Sequence, residues 1–160
     1  MHTFQMIGLD PAPFEPLFGL SDDELSKHRA VRRFATGTPG LPCRVSLEDA
    51  VSGEELLLLP HVHQPGASPY HASGPIYVRR GATQRILRAG EVPDYVATRL
   101  ISVRAYDAAH MIVDASVCEG AVVGPEIERM FANDLVAYIH LHNAKRGCFA
   151  CRVNRYQAPA

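Results

Sequence analysis

The stretch His140-Leu141-His142-Asn143-Ala144-Lys145-Arg146-Gly147-Cys148-Phe149-Ala150-Cys151-Arg152-Val153 reads as two strands and a tight loop, and the rest of the fold is arranged around it. Side chains alternate between the faces of a strand. Over residues 136–142, Ala137, Ile139 and Leu141 therefore share one face, and Tyr138, His140 and His142 the other. A five-residue loop over 143–147, with Gly147 supplying a left-handed position, predicts that His142 faces Cys148, His140 faces Ala150, Leu141 faces Phe149 and Ile139 faces Cys151. Leu141, Ile139, Phe149, Cys151 and Val153 then form an apolar surface, while His140, His142, Cys148 and Arg152 share the opposite one. On such a strand Cys148 and Cys151 point apart, so a redox or chelating pair would need a turn there.

Working outward, residues 56–59 (four leucines) form the most apolar run, predict a buried strand and run into Pro60-His61-Val62-His63. If the strand persists past the proline, this second His-x-His again sets both rings on one face. Residues 64–74 (QPGASPYHASG) are a loop of small, turn-forming residues carrying Ser68, Tyr70, His71 and Ser73. Residues 75–80 predict a strand with Ile76 and Val78 inward, and 101–106 with 111–118 predict a hairpin with Met111, Val113, Ala115 and Val117 on one face. Residues 3–9 and 30–35 read as further strands, and 37–42 as a turn-rich loop leading to 43–47 (CRVSL). Ser21 with Glu24 is a capping box for a short helix ending near Arg29. Ser46–Ala50 predicts one helical turn, residues 94–100 a short helix, and Gly124-Pro125-Glu126 opens a helix with Ile127, Met130, Phe131 and Leu135 at helical spacing. The pattern predicts one α+β domain over 1–160, with a largely antiparallel sheet and two or three short helices.

A chain of 160 residues is long enough to bury roughly 70% of its unfolded surface without disulfide staples. A net charge of −1 gives no global attraction to nucleic acid or to an acidic membrane. The N-terminus lacks a basic segment followed by an apolar one, and no apolar run reaches the ~20 residues needed to cross a bilayer. Four cysteines in this setting are expected to be reduced, in a cytoplasmic protein.

Residues 42–50 (PCRVSLEDA), 68–76 (SPYHASGPI), 140–143 (HLHN) and 147–152 (GCFACR), in that order, resemble an uncharacterised bacterial family, domain of unknown function 1203. The resemblance covers nearly the full length and brings no activity, substrate or cofactor with it.

Three chemistries fit the residues. A transition metal such as zinc suits the imidazoles of His140 and His142 and the thiolate of Cys148, with His61 and His63 completing the set if their strand lies alongside. A cysteine nucleophile needs His142 as base beside Cys148, with Asn143 or Asp114 to orient the ring. A small-molecule ligand, in particular an anion, suits the hydroxyls of Ser68, Tyr70 and Ser73 together with Arg44, Arg79 or Arg152. The plain alternative is an interaction or structural module in which the histidines only join strands. A ligand site predicts a concavity where the histidine face meets the loop, and an interaction module predicts an exposed apolar patch.

Overall fold

The computed structural model describes residues 4–160, so Thr3, the first residue of the first expected strand, lies outside the described residues. The strands are β1 (Phe4–Ile7), β2 (Val31–Phe34), β3 (Pro42–Cys43), β4 (Glu48–Asp49), β5 (Glu55–Gln64), β6 (Ala72–Arg79), β7 (Leu100–Tyr106), β8 (Ile112–Glu119), β9 (Tyr138–Asn143) and β10 (Phe149–Arg155). The helices are α1 (Asp22–Lys27), α2 (Asp94–Ala97) and α3 (Val123–Phe131). Two five-stranded sheets result, ordered β1-β10-β9-β7-β8 and β2-β5-β6-β3-β4, and every pairing is antiparallel except β3 with β6. The α+β expectation holds.

Alternation sets what each sheet buries. Ile101, Val103 and Ala105 of β7 and Ile139 and Leu141 of β9 join Cys151 and Val153 of β10 and the apolar stripe of α3 (Val123, Ile127, Met130, Phe131) in the main core. The second core gathers Leu57 and Leu59 of β5 and Ile76 and Val78 of β6 with Phe14, Phe18, Leu25 and Phe149. Both inward assignments on β6 are thus as expected. The Ser21 capping box is also formed: Ser21 Oγ accepts from the Glu24 amide at 3.2 Å, and the Glu24 carboxylate accepts from the Ser21 amide at 3.1 Å. Such a cap contributes about 1 kcal/mol to a helix of this length.

Four expectations are corrected. Ser46–Ala50 is not a helical turn; residues 44–47 turn between β3 and β4, with Leu47 at φ 56° and its amide donating to the Cys43 carbonyl. The helix from Asp94 ends at Ala97, and α3 ends at Phe131, leaving Leu135 outside it and 69% exposed. The fourth correction is the register of β9 with β10. Asn143 and Cys148 already pair, through the Asn143 amide and the Cys148 carbonyl at 2.9 Å, so the loop is one residue shorter than expected. Phe149 therefore stands opposite His142, and a bulge at Ala150 restores the phase so that Cys151 meets Leu141 and Arg152 meets His140.

The link between the sheets leaves no room at Gly8. Its amide donates to the Arg85 carbonyl at 2.7 Å, and a Cβ at this position would lie 2.0 Å from the Val45 carbonyl oxygen. Gly8→Ala is expected to lower stability by about 1–3 kcal/mol through forced backbone displacement, measured by urea unfolding. An unchanged midpoint would contradict the close approach of β1 to the 44–47 turn.

Candidate functional site

The histidine face of the β7-β9-β10 sheet is not turned to solvent. His140 and His142 are each 1% exposed, because β5 of the other sheet lies over them. β5 persists past Pro60, which meets the condition set by the sequence, and its His63 ring sits 4.8 Å from that of His142 and 6.3 Å from that of His140. Phe149, turned to this side by the shortened loop, stacks on His63 at 5.6 Å and 8°. It also meets His140 and His142 edge-on. His61 packs on Phe14 and Phe149 instead, at 6.0 and 6.2 Å.

The pairing registers fix the rows across this face. Arg152, His140 and Arg104 stand side by side on β10, β9 and β7, with Ala115 of β8 next in line. The neighbouring row is Phe149, His142, Ser102 and Val117, and the one on the other side is Asn154, Tyr138 and Tyr106. Tyr106 and Tyr138 stack at 5.2 Å, and the Arg152 guanidinium lies 4.1 Å over the Tyr138 ring while donating to Asn154 Oδ1. Arg104 leans the other way, donating to Ser102 Oγ at 3.2 Å and standing 3.5 Å from His142 Nε2. His142 Nδ1 lies 2.9 Å from the Gly147 carbonyl, to which it donates its proton. That leaves the lone pair on Nε2, toward the arginine.

This surrounding holds the imidazoles neutral. Burial pushes His140 down to about 3, helped by Arg152, His142, His63 and Arg104. Burial likewise lowers His142 to about 4 against the opposing hydrogen bond to Gly147, and lowers His63 to about 4 with help from His61 and Arg104. Burial lowers His61 and Arg152 as well. Among the described residues no carboxylate lies within ion-pair distance of Arg44, Arg104 or Arg152, although Arg32, Arg79, Arg80, Arg85, Arg88, Arg99 and Arg129 all have one. The face is a cluster of cations and neutral rings without a counterion.

The sequence-level candidates fall into three groups. His63, His140, His142 and Arg152 are brought together. Cys148 stands opposite Asn143, one position out of phase with His142; its sulfur accepts from Asn143 Nδ2 at 3.4 Å and from Arg44 Nη2 at 3.3 Å, so the expected Cys148–His142 pair is not formed. Arg44, 2% exposed, gives its other donors to the Pro42 and Phe149 carbonyls and clamps the bulge of β10. Ser68 bridges the Tyr70 amide and the His110 carbonyl, Tyr70 stands edge-on to Tyr106 at 6.2 Å, and Ser73 is exposed. Arg79 pairs with Glu48 and Glu54 on the far sheet.

No group of three or more His, Cys, Asp or Glu side chains among the described residues is arranged to hold a metal ion. All four cysteines are free thiols, and burial raises Cys151 to about 12. Arg104 and Ser102 were missed from the sequence, although the phase Ser102-Arg104-Tyr106 against Ile101-Val103-Ala105 marks them as the polar side of β7. Two concavities open elsewhere: one of about 490 Å³ beside Glu48, Glu91 and Asp94, and an apolar groove of about 260 Å³ along Val31, Leu58 and Pro75. Where the histidines meet the 64–74 loop the rings are packed against one another, and neither of these concavities lies there.

The class of protein defined here is a two-sheet α+β domain with a counterion-free cationic layer between its sheets. The chain belongs to the family described as protein of unknown function DUF1203, whose model matches residues 40–155. No curated protein and no solved structure matches it. Among the described residues no helix is long and apolar enough to cross a membrane.

His140 and His142 stay neutral in the fold, whereas in the unfolded chain they take up protons near pH 6.5. Their contribution is complete above that pH and is lost as pH falls toward 4, by about 2 kcal/mol each at pH 5. Denaturant unfolding at pH 7.5 and pH 5 measures this; equal stability at the two values would contradict it. Replacing the exposed His71 by Gln leaves the loss unchanged.

Proposed function

We propose that this chain is a small-molecule binding protein whose ligand carries a negatively charged group, received at Arg104 beside Ser102 and His142, with Arg152 adding to the field. The observation that carries the reading is the pair of half-buried guanidiniums flanking His140 with no carboxylate near either. A half-buried cation held only by neutral partners is costly, and an anionic ligand supplies the ion pair through charge-assisted hydrogen bonds. The neutral imidazoles suit this role, because they add polar contacts without an acidic group that would repel the ligand.

Thermal unfolding with phosphate, sulfate or acetate, at ionic strength held constant with chloride, tests it. A ligand at ten times its dissociation constant adds about 1.4 kcal/mol, a rise of a few degrees for a chain of this size. Arg104→Gln is expected to abolish the rise. No rise with any of the three anions, or a rise that Arg104→Gln retains, would contradict the reading.

A transition-metal ion held by His63 and His140, with solvent completing its ligands, is the second reading. What favours it is that Nδ1 of His63 and Nδ1 of His140 are buried without a hydrogen-bond partner. Elemental mass spectrometry of freshly purified protein decides it: near one equivalent of metal, lost in His63→Ala, supports the ion, and a metal-free protein that takes up none on incubation with zinc, nickel or copper rejects it.

A further inference from the structure

We infer that the ligand is amphipathic, a monocarboxylate with an apolar body of several carbons, and that the body lies on the β8 end of the same sheet face. This rests on the anion reading above. In the β7–β8 register Arg104 stands beside Ala115 and Ser102 beside Val117, so both apolar residues share the arginine's face. Asp114 and Ser116 point to the opposite face, where Asp114 pairs with Arg129 and Ser116 donates to Glu126. β8 is the outermost strand, and the second sheet does not cover it: Ala115 is exposed and Val117 is 61% exposed.

One strand spacing, about 5 Å, separates the backbone position of Arg104, which has no carboxylate partner among the described residues, from that of the uncovered Ala115, and Val117 stands next to Ser102, which holds the guanidinium. A ligand whose carboxylate meets Arg104 lays its next carbons over Ala115 and Val117, removing apolar surface from water on both sides. The polarity of the far end is set as well. Glu119, opposite Leu100, stands on this face beyond Val117. A second carboxylate at the tail would meet that like charge, so the site discriminates against a dicarboxylate of the same length.

The test compares acetate, butanoate, hexanoate and adipate by nuclear magnetic resonance titration of the Arg104, Ala115 and Val117 signals, each at millimolar concentration. Full burial of a methylene is worth about fourfold in affinity. On an open strip about twofold per methylene is expected, so hexanoate, with four more methylenes, binds about 16-fold more tightly than acetate while adipate gains nothing over acetate. Val117→Asp, at an exposed edge position, is expected to erase the gain for hexanoate and to leave acetate binding in place, whereas Arg104→Gln removes both. Acetate binding without a gain for hexanoate would overturn the apolar contact and leave the anion reading standing. Absence of binding by acetate and by phosphate alike would overturn the anion reading and this inference with it. If hexanoate shows no gain and Val117→Asp turns a dimer into a monomer, the strip belongs to a second copy of the chain and the inference is wrong.

Discussion

A polar sheet face closed over by a second sheet is the constraint on which the rest of this structure depends. β9 presents Tyr138, His140 and His142 on the side away from the main core, and β5 covers that side with His61 and His63. Burying imidazoles between sheets is tolerable only while they remain uncharged. Arg104 and Arg152, one strand away on each side of His140, enforce that state. Phe149, stacked on His63, also packs edge-on against His140 and His142. Neutral histidines, unpaired arginines and the packed aromatic ring are therefore consequences of one arrangement.

The bulge at Ala150 links that arrangement to the chain's other half. It lets Phe149 enter the layer between the sheets while Ala150 and Cys151 remain in the main core. Arg44 secures it by donating to the Phe149 carbonyl, and Tyr95 does the same at the Ala150 carbonyl from α2. Two side chains more than fifty residues upstream thus hold a local irregularity that decides which face Phe149 occupies. The shortened loop, rather than the bulge, sets Cys148 opposite Asn143 and leaves His142 opposite Phe149, so the base expected for a cysteine nucleophile is not beside the thiol.

Much of this was legible in the sequence. Alternation in residues 136–142 assigned Ile139, Leu141 and His140 to their faces correctly, and the run of leucines marked a strand running into His61-Val62-His63, whose continuation past the proline the fold supplies. Register was not legible, because a one-residue change in a loop costs little locally and is decided by where a distant side chain fits, here Phe149 against His63. The predicted facing of His142 and Cys148 failed for that reason. The absence of a counterion at Arg104 and Arg152 was equally hidden: composition shows 17 acidic residues against 16 basic ones, and only the fold shows that the acids are elsewhere.

The central claim is that the layer between the sheets is a cationic, proton-poor site that an anion completes. Long-range correlation spectra of the imidazole nitrogens, recorded from pH 7.5 to pH 4.5 without and with saturating phosphate, test it most directly. His142 is expected to remain neutral, with its proton on Nδ1, down to about pH 4 in the free protein. Phosphate beside Arg104 is expected to raise the pH at which it titrates. An imidazole that becomes charged near pH 6.5 in the free protein, with no response to phosphate, would contradict both the buried neutral layer and the role assigned to it.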